Sequence, residues 1–86
     1  MFTGLVETTG ELCARERRGP GFRLRVTCSL GGLALGESIA VSGACLTVIA
    51  HDDTGFDADV SLETADKTTL GRLPIGARVN LERSLQ

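Results

Sequence analysis

Gly36-Glu37-Ser38-Ile39-Ala40-Val41-Ser42-Gly43-Ala44-Cys45-Leu46-Thr47-Val48 is the stretch whose reading decides the fold. It reads as strand, tight turn, strand. Two small hydroxyl residues and a thiol stand beside glycines. Such a segment offers backbone N–H and C=O groups, plus short hydroxyls, to a flat polar ligand. The same pattern is equally that of a plain β-hairpin.

Strand signals continue on both sides of this block. Phe22, Leu24, Val26 and Cys28 alternate with Arg23, Arg25 and Thr27, a period of two with one buried and one wet face. Leu5 to Arg17 reads as a preceding strand, bent near Gly10 and joined to the next by the Gly19-Pro20-Gly21 turn. Glu37–Val41 and Cys45–His51 are the third and fourth strands. After the polar turn Asp52-Asp53-Thr54-Gly55 come Phe56–Ser61 and finally Arg78–Leu85. Ser29–Leu35 has room for one short helical turn. Glu63–Leu70 is the better helical candidate, closed by Gly71 as a C-cap. Leu33–Val41 is echoed by Leu73–Leu81, each a Leu-x-x-Gly followed by an alternating strand. Two copies are too few for a solenoid, and the echo reads as a glycine turn delivering a strand at a barrel corner.

Six short strands in 86 residues predict one all-β domain spanning residues 1–86. The expected form is a small closed antiparallel barrel with one or two short helical turns, because closure removes exposed edges. An OB-like barrel is the alternative. A chain this short buries a modest share of its surface, so closure or a partner subunit helps stability.

Composition narrows the function classes. No apolar run approaches the ~20 residues that span a bilayer, and no basic segment followed by an apolar run opens the chain. Cys13, Cys28 and Cys45 are odd in number and widely spaced, and His51 is the only histidine. This is poor material for a zinc site and fits a reducing cytoplasm better than a secreted disulfide scaffold. The net charge is −2, and Arg15, Arg17, Arg18, Arg23 and Arg25 form the one basic cluster, around a hairpin end. Nucleic-acid binding wants a basic face with stacking aromatics, and this chain has three Phe, no Tyr and no Trp.

Taken residue by residue, the chemistry is sparse. Cys45 reads first as a small buried core residue, and nothing near it in sequence would lower a thiol pKa. Thr47 points to the same face as Cys45. Ser38 and Ser42 flank the third strand as exposed or turn-capping hydroxyls. Asp59 and Ser61 share a face of the fifth strand and, with Thr64, form an ordinary strand-to-helix junction with Ser61 or Glu63 near the helix start. Phe2 would ordinarily be frayed terminus.

Five blocks change that reading: Met1–Glu7, Gly36–Val48, Phe56–Thr64, Thr68–Gly71 and Val79–Arg83. In this order and spacing they resemble the N-terminal lumazine-binding barrel of the riboflavin synthase family, over nearly the whole chain. The resemblance implies a six-stranded Greek-key barrel. It also implies binding of riboflavin or 6,7-dimethyl-8-ribityllumazine, with no metal or redox cofactor. In that family two lumazines exchange a four-carbon unit, a transferase reaction giving riboflavin and a pyrimidinedione. By the same resemblance Cys45 lines the pocket and is implicated in catalysis, with Ser38 beside it and Phe2 near the reacting centre. Thr47 matches a ligand-binding Thr, and the Asp59, Ser61, Thr64 stretch wraps the ligand largely through backbone groups. Ser42 stands where the family often has Asn, and a shorter hydroxyl reaches less far. Leu62 replaces a usual Pro, and Ala65-Asp66-Lys67 replace a Leu and basic residues.

Family enzymes carry two such barrels, form trimers, and build each active site between barrels of different subunits. One barrel is therefore expected to bind one flavin or lumazine and to self-associate as a homodimer. Without a second riboflavin synthase barrel it is expected to turn over little or nothing. The alternative is a stand-alone flavin or lumazine carrier or storage protein. No nucleic-acid or membrane partner is expected.

Overall fold

A computed structural model of the chain describes residues 8–61, 63–64 and 70–83. Its six strands are β1 (Thr8–Arg18), β2 (Gly21–Thr27), β3 (Ser38–Val41), β4 (Ala44–Asp52), β5 (Gly55–Val60) and β6 (Arg78–Arg83). They close into a barrel in the order β1-β2-β5-β4-β3-β6. Every neighbouring pair is antiparallel. The expected all-β, six-stranded barrel is what the chain forms. Its Greek-key character lies in the β2–β3 and β5–β6 connections, each of which passes over two intervening strands.

The period of two in the sequence becomes the inside and outside of the barrel. In β4, Ala44, Leu46 and Val48 are buried, while Cys45 and Thr47 are exposed. Leu12, Leu24, Ile39, Phe56, Leu70 and Leu81 are fully buried within the barrel. Each such side chain contributes roughly 1.5–3 kcal/mol relative to exposure, a large share of a small domain's stability.

The echo noted in the sequence is a structural repeat. Ala34-Leu35-Gly36-Glu37 is a four-residue turn closed by Glu37 N–H to Ala34 O at 3.1 Å, and Pro74-Ile75-Gly76-Ala77 is closed by Ala77 N–H to Pro74 O at 3.0 Å. Gly36 and Gly76 take φ of 83° and 95° at the third position, the type II signature that favours glycine. The turns dock alike. Gly36 N–H donates to Val48 O at 2.8 Å and Gly76 N–H to Leu12 O at 2.7 Å; Val48 N–H donates to Glu37 O and Leu12 N–H to Ala77 O, both at 2.9 Å. The strand register slips at Cys13 in β1 and at Ile49 in β4, one residue beyond Leu12 and Val48 respectively. Thus β1-β2-β3 and β4-β5-β6 are two halves related by a pseudo-two-fold axis. Leu35 and Ile75, the second residues of the paired turns, are the large exposed apolar side chains among the described residues, at 67% and 55%.

Three sequence readings change. Ser29–Leu35 forms no helical turn; it is irregular up to the Ala34–Glu37 turn. Seven residues with two adjacent glycines cannot offset the cost of helix nucleation. Arg83 instead takes the loop carbonyls, donating to Gly31 O at 2.9 Å and Gly32 O at 3.1 Å. Secondly, β1 carries a register slip at Cys13 that the sequence reading did not include. Gly10 marks where β1 passes from β6 to β2, and a Cβ there would lie 2.7 Å from Thr27 O. Thirdly, the Glu63–Leu70 helix is seen only at Glu63 and Thr64, and Leu70 already belongs to a turn. Residues 65–69 lie outside the described residues, as do residues 5–7 of the expected first strand and 84–85 of the expected sixth.

Candidate functional site

The site residues assemble through strand register. Ser38 of β3 pairs with Thr47 of β4, and Thr47 pairs on its other side with Asp59 of β5. Directly opposed residues share a face with Cβ atoms about 5 Å apart. Ser38, Thr47 and Asp59 therefore make one row across three strands on the outside of the barrel. The next row on that face begins with Ala40 paired to Cys45. Extending the β4–β5 register by two residues brings Ser61 beside Cys45. The two rows lie about 7 Å apart along the strands. Contrary to its reading as a core residue, Cys45 is exposed; the core positions of β4 are its neighbours Ala44 and Leu46.

Ser61 sits where β5 ends. Its Oγ accepts the Thr64 N–H at 3.1 Å and lies 3.0 Å from Thr64 Oγ1, the geometry of an N-cap at the helix start. This cap holds the Ser61 and Thr64 hydroxyls together at the end of β5. Ser42 is placed differently. It occupies the tight turn between β3 and β4 with φ of 48°, followed by Gly43 at 89°, the two positive φ values of a type I′ hairpin. Its Oγ accepts the Asn80 N–H at 3.2 Å and its N–H donates to Asn80 O at 2.8 Å. Its side chain is thus held against β6, two residues beyond the Ala40 row. Phe2 lies outside the described residues.

Asp59 is the charged end of the first row. It is held by Arg23, whose Nε donates to Asp59 Oδ1 at 3.0 Å from the paired position on β2. That bond raises the Arg23 pKa above its already high value. Sequence inspection placed Arg23 in a solvated basic cluster and missed this link; only the β2–β5 register reveals it. The other arginines are engaged too. Arg25 bridges Asp52 at 2.7 Å and Asp57 at 3.3 Å, Arg18 meets Glu16 at 2.6 Å, and Arg17 lies 5.8 Å from the Phe22 ring centre. The cluster presents paired guanidiniums rather than an open basic face.

The two halves of the barrel make the face distinctive. The pseudo-two-fold axis carries Ser38, Thr47 and Asp59 onto Arg78, Glu11 and Thr27, which are themselves paired across β6, β1 and β2. One face offers short hydroxyls and a thiol; its counterpart sets a guanidinium against a carboxylate. Both faces carry one acid-bearing row, Asp59 bound to Arg23 on the first and Glu11 opposite Arg78 on the second, and they differ in the thiol and the Ser38–Thr47 hydroxyl pair of the first. A cleft of about 500 Å³, lined by Ser29–Leu33 and His51–Asp53, lies away from both rows.

Residues 3–84 match the family model of the lumazine binding domain. The chain is 44% identical to the riboflavin synthase of Bacillus amyloliquefaciens over 87 residues, which is 99% of this chain and 40% of that protein. It is 47% identical to the riboflavin synthase of Mycobacterium bovis over 90 residues, covering 98% of this chain and 43% of that protein. It thus spans about two-fifths of the length of these relatives. Among solved structures it superposes on LumP complexed with riboflavin with a TM-score of 0.87 at 27% identity, covering 96% of this chain and 46% of that one. For LumP complexed with 6,7-dimethyl-8-(1'-D-ribityl) lumazine the TM-score is 0.88 at 26% identity, covering all of this chain and 49% of that one. The chain belongs to the lumazine-binding domain family.

Proposed function

We propose that this lumazine-binding domain binds riboflavin and 6,7-dimethyl-8-ribityllumazine, one molecule per barrel, and serves as the N-terminal barrel of a riboflavin synthase. The observation that carries the reading is the row Ser38–Thr47–Asp59, with the Ala40–Cys45 pair beside it on the same outer face. Hydroxyls and one thiol gathered on this face are groups able to hydrogen-bond a flat ring edge and a ribityl chain, and Thr64 is assigned to one end. A fluorescence titration tests this: flavin emission should change saturably with protein in the micromolar range, and an unaltered emission refutes it.

In this reading Ser38 and Cys45 serve the reacting part of the ring system, a role the resemblance also gives to Phe2; Thr47, Asp59, Ser61 and Thr64 hold the ligand, and Ser42, whose Oγ already accepts the Asn80 N–H, contributes least. Moving a four-carbon unit between two lumazines requires the two rings face to face, so orientation supplies much of the rate. One barrel presents one ring. His51 is four residues along β4 from Thr47, about 13 Å away, and pairs with Phe56 next to the Asp52 turn. Proton transfer at the site falls to hydroxyls and one thiol, whose ordinary pKa values match neutral pH poorly. The chain alone is therefore expected to make little riboflavin, and a second riboflavin synthase barrel completes the enzyme. In the absence of that barrel the domain pairs with itself as a homodimer in the cytoplasm. No metal or redox cofactor enters this scheme.

The likeness to LumP in complex with both ligands favours a second reading, a carrier that binds without catalysis. Both readings require binding. Riboflavin formation by the domain together with a second barrel separates them.

A further inference from the structure

The pseudo-two-fold axis makes one side chain informative. Arg15 of β1 reaches the connection that precedes β6 and donates from Nη1 to Leu70 O at 3.2 Å and Leu73 O at 2.6 Å. Its guanidinium ties that loop to the barrel wall. The axis carries Arg15 to His51, Leu70 to Leu30 and Leu73 to Leu33. His51 is shorter and exposed, and it donates to neither carbonyl among the described residues. The space that Arg15 fills in one half is, in the other, the open cleft of about 500 Å³ lined by Ser29–Leu33 and His51–Asp53.

The cleft has the chemistry of a guanidinium acceptor. Leu30 O and Leu33 O, counterparts of the carbonyls that Arg15 engages, accept no hydrogen bond among the described residues. The same loop already uses two carbonyls in this way, since Arg83 takes Gly31 O and Gly32 O from the β6 side. The rim is acidic. Asp52 and Asp57 share the single cation Arg25, and Asp53 makes no ion pair among the described residues. Leu30 packs against the core and Leu33 is buried, so the wall suits an alkyl stem. The volume falls within the usual range of ligand sites.

We infer that this cleft binds the arginine side chain of a partner polypeptide, seated between Leu30–Leu33 and His51–Asp53 as Arg15 is seated in the other half. The site is separate from the flavin face and does not depend on what that face binds. The probe is N-acetyl-argininamide, titrated into the tens of millimolar against the ¹⁵N-labelled domain. Amide shifts should be saturable and confined to Leu30–Leu33 and His51–Asp53. N-acetyl-lysinamide should bind at least about fivefold more weakly, because its compact ammonium is more strongly hydrated than a guanidinium and costs more to bring against the apolar Leu30–Leu33 wall. His51→Arg should fill the cleft from within, raising Tm and abolishing the shifts. Arg15→His should open the related cleft and add a second set of shifts at Leu70 and Leu73. Absence of saturable shifts, equal binding of the lysine analogue, or unchanged binding by His51→Arg would overturn the inference. Free guanidinium ion binding as tightly as the arginine analogue would overturn the assignment to a side chain.

Discussion

Thr47→Val separates binding from folding at the middle of the hydroxyl row. Thr47 is exposed on β4 between Ser38 and Asp59. Its hydroxyl has no hydrogen-bond partner among the described residues, so the substitution removes no bond within the protein. Val matches Thr in shape and suits a strand at least as well. The stability change should fall within about 0.5 kcal/mol, as for surface positions generally, which for a domain of this size moves Tm by no more than about 4 °C. The ligand loses a partner. A bond replaced by water costs about 1 kcal/mol, whereas a buried ligand group left unpaired costs up to about 3 kcal/mol. With a tenfold change per 1.4 kcal/mol, Kd for riboflavin should rise between about 5-fold and 150-fold. Flavin fluorescence titration gives Kd, and thermal unfolding without ligand checks the fold. A Kd within twofold of the unsubstituted domain would show that the row is not where the ligand lies. Loss of binding with a collapsed Tm would show that Thr47 is structural.

Three further outcomes are expected. Arg25 holds the Asp52 carboxyl far below its ordinary pKa, helped by the Thr54 hydroxyl and N–H, and Arg83 lowers that of Glu37. Lowered folded-state values mean stability that is present above the unfolded pKa near 4 and is lost as pH falls below it, so Tm should drop from about pH 5 downward, and less steeply in Asp52→Asn. Ser42 pays for a positive φ without being glycine or asparagine; Ser42→Asn should raise Tm by a few degrees, while Ser42→Ala, which keeps the strain and loses the bond to Asn80, should lower it by a similar amount. Incubated alone with the lumazine, the domain should yield riboflavin at no more than the buffer rate by chromatography; turnover that Cys45→Ala abolishes would show that one barrel suffices.

The chain's local patterns already carried much of this protein. Alternation in Phe22–Cys28 and around Cys45–Val48, with turns at Gly19-Pro20-Gly21 and Asp52–Gly55, determined six strands, since each signal is a period-two contrast readable within a few residues. The Leu-x-x-Gly echo likewise announced two equivalent corners. The Glu63–Leu70 helix was only partly legible, because its Ser61 cap is a local signal and its extent is not.

What tertiary structure alone decided is which residues meet. No spacing in the sequence says that Ser38, Thr47 and Asp59 share a row, because the row crosses three strands and depends on register. The same holds for Arg23 on Asp59, and for Cys45 outside the barrel rather than within it. A single-residue slip at Cys13 or Ile49 changes which face a strand presents, and that slip is set by how the two halves close on each other. Arg15 and His51 look unrelated along the chain. Closure makes them counterparts, one filling its cleft and the other leaving it open, because hydrogen bonds between distant segments, not local propensity, bring each loop to its strand.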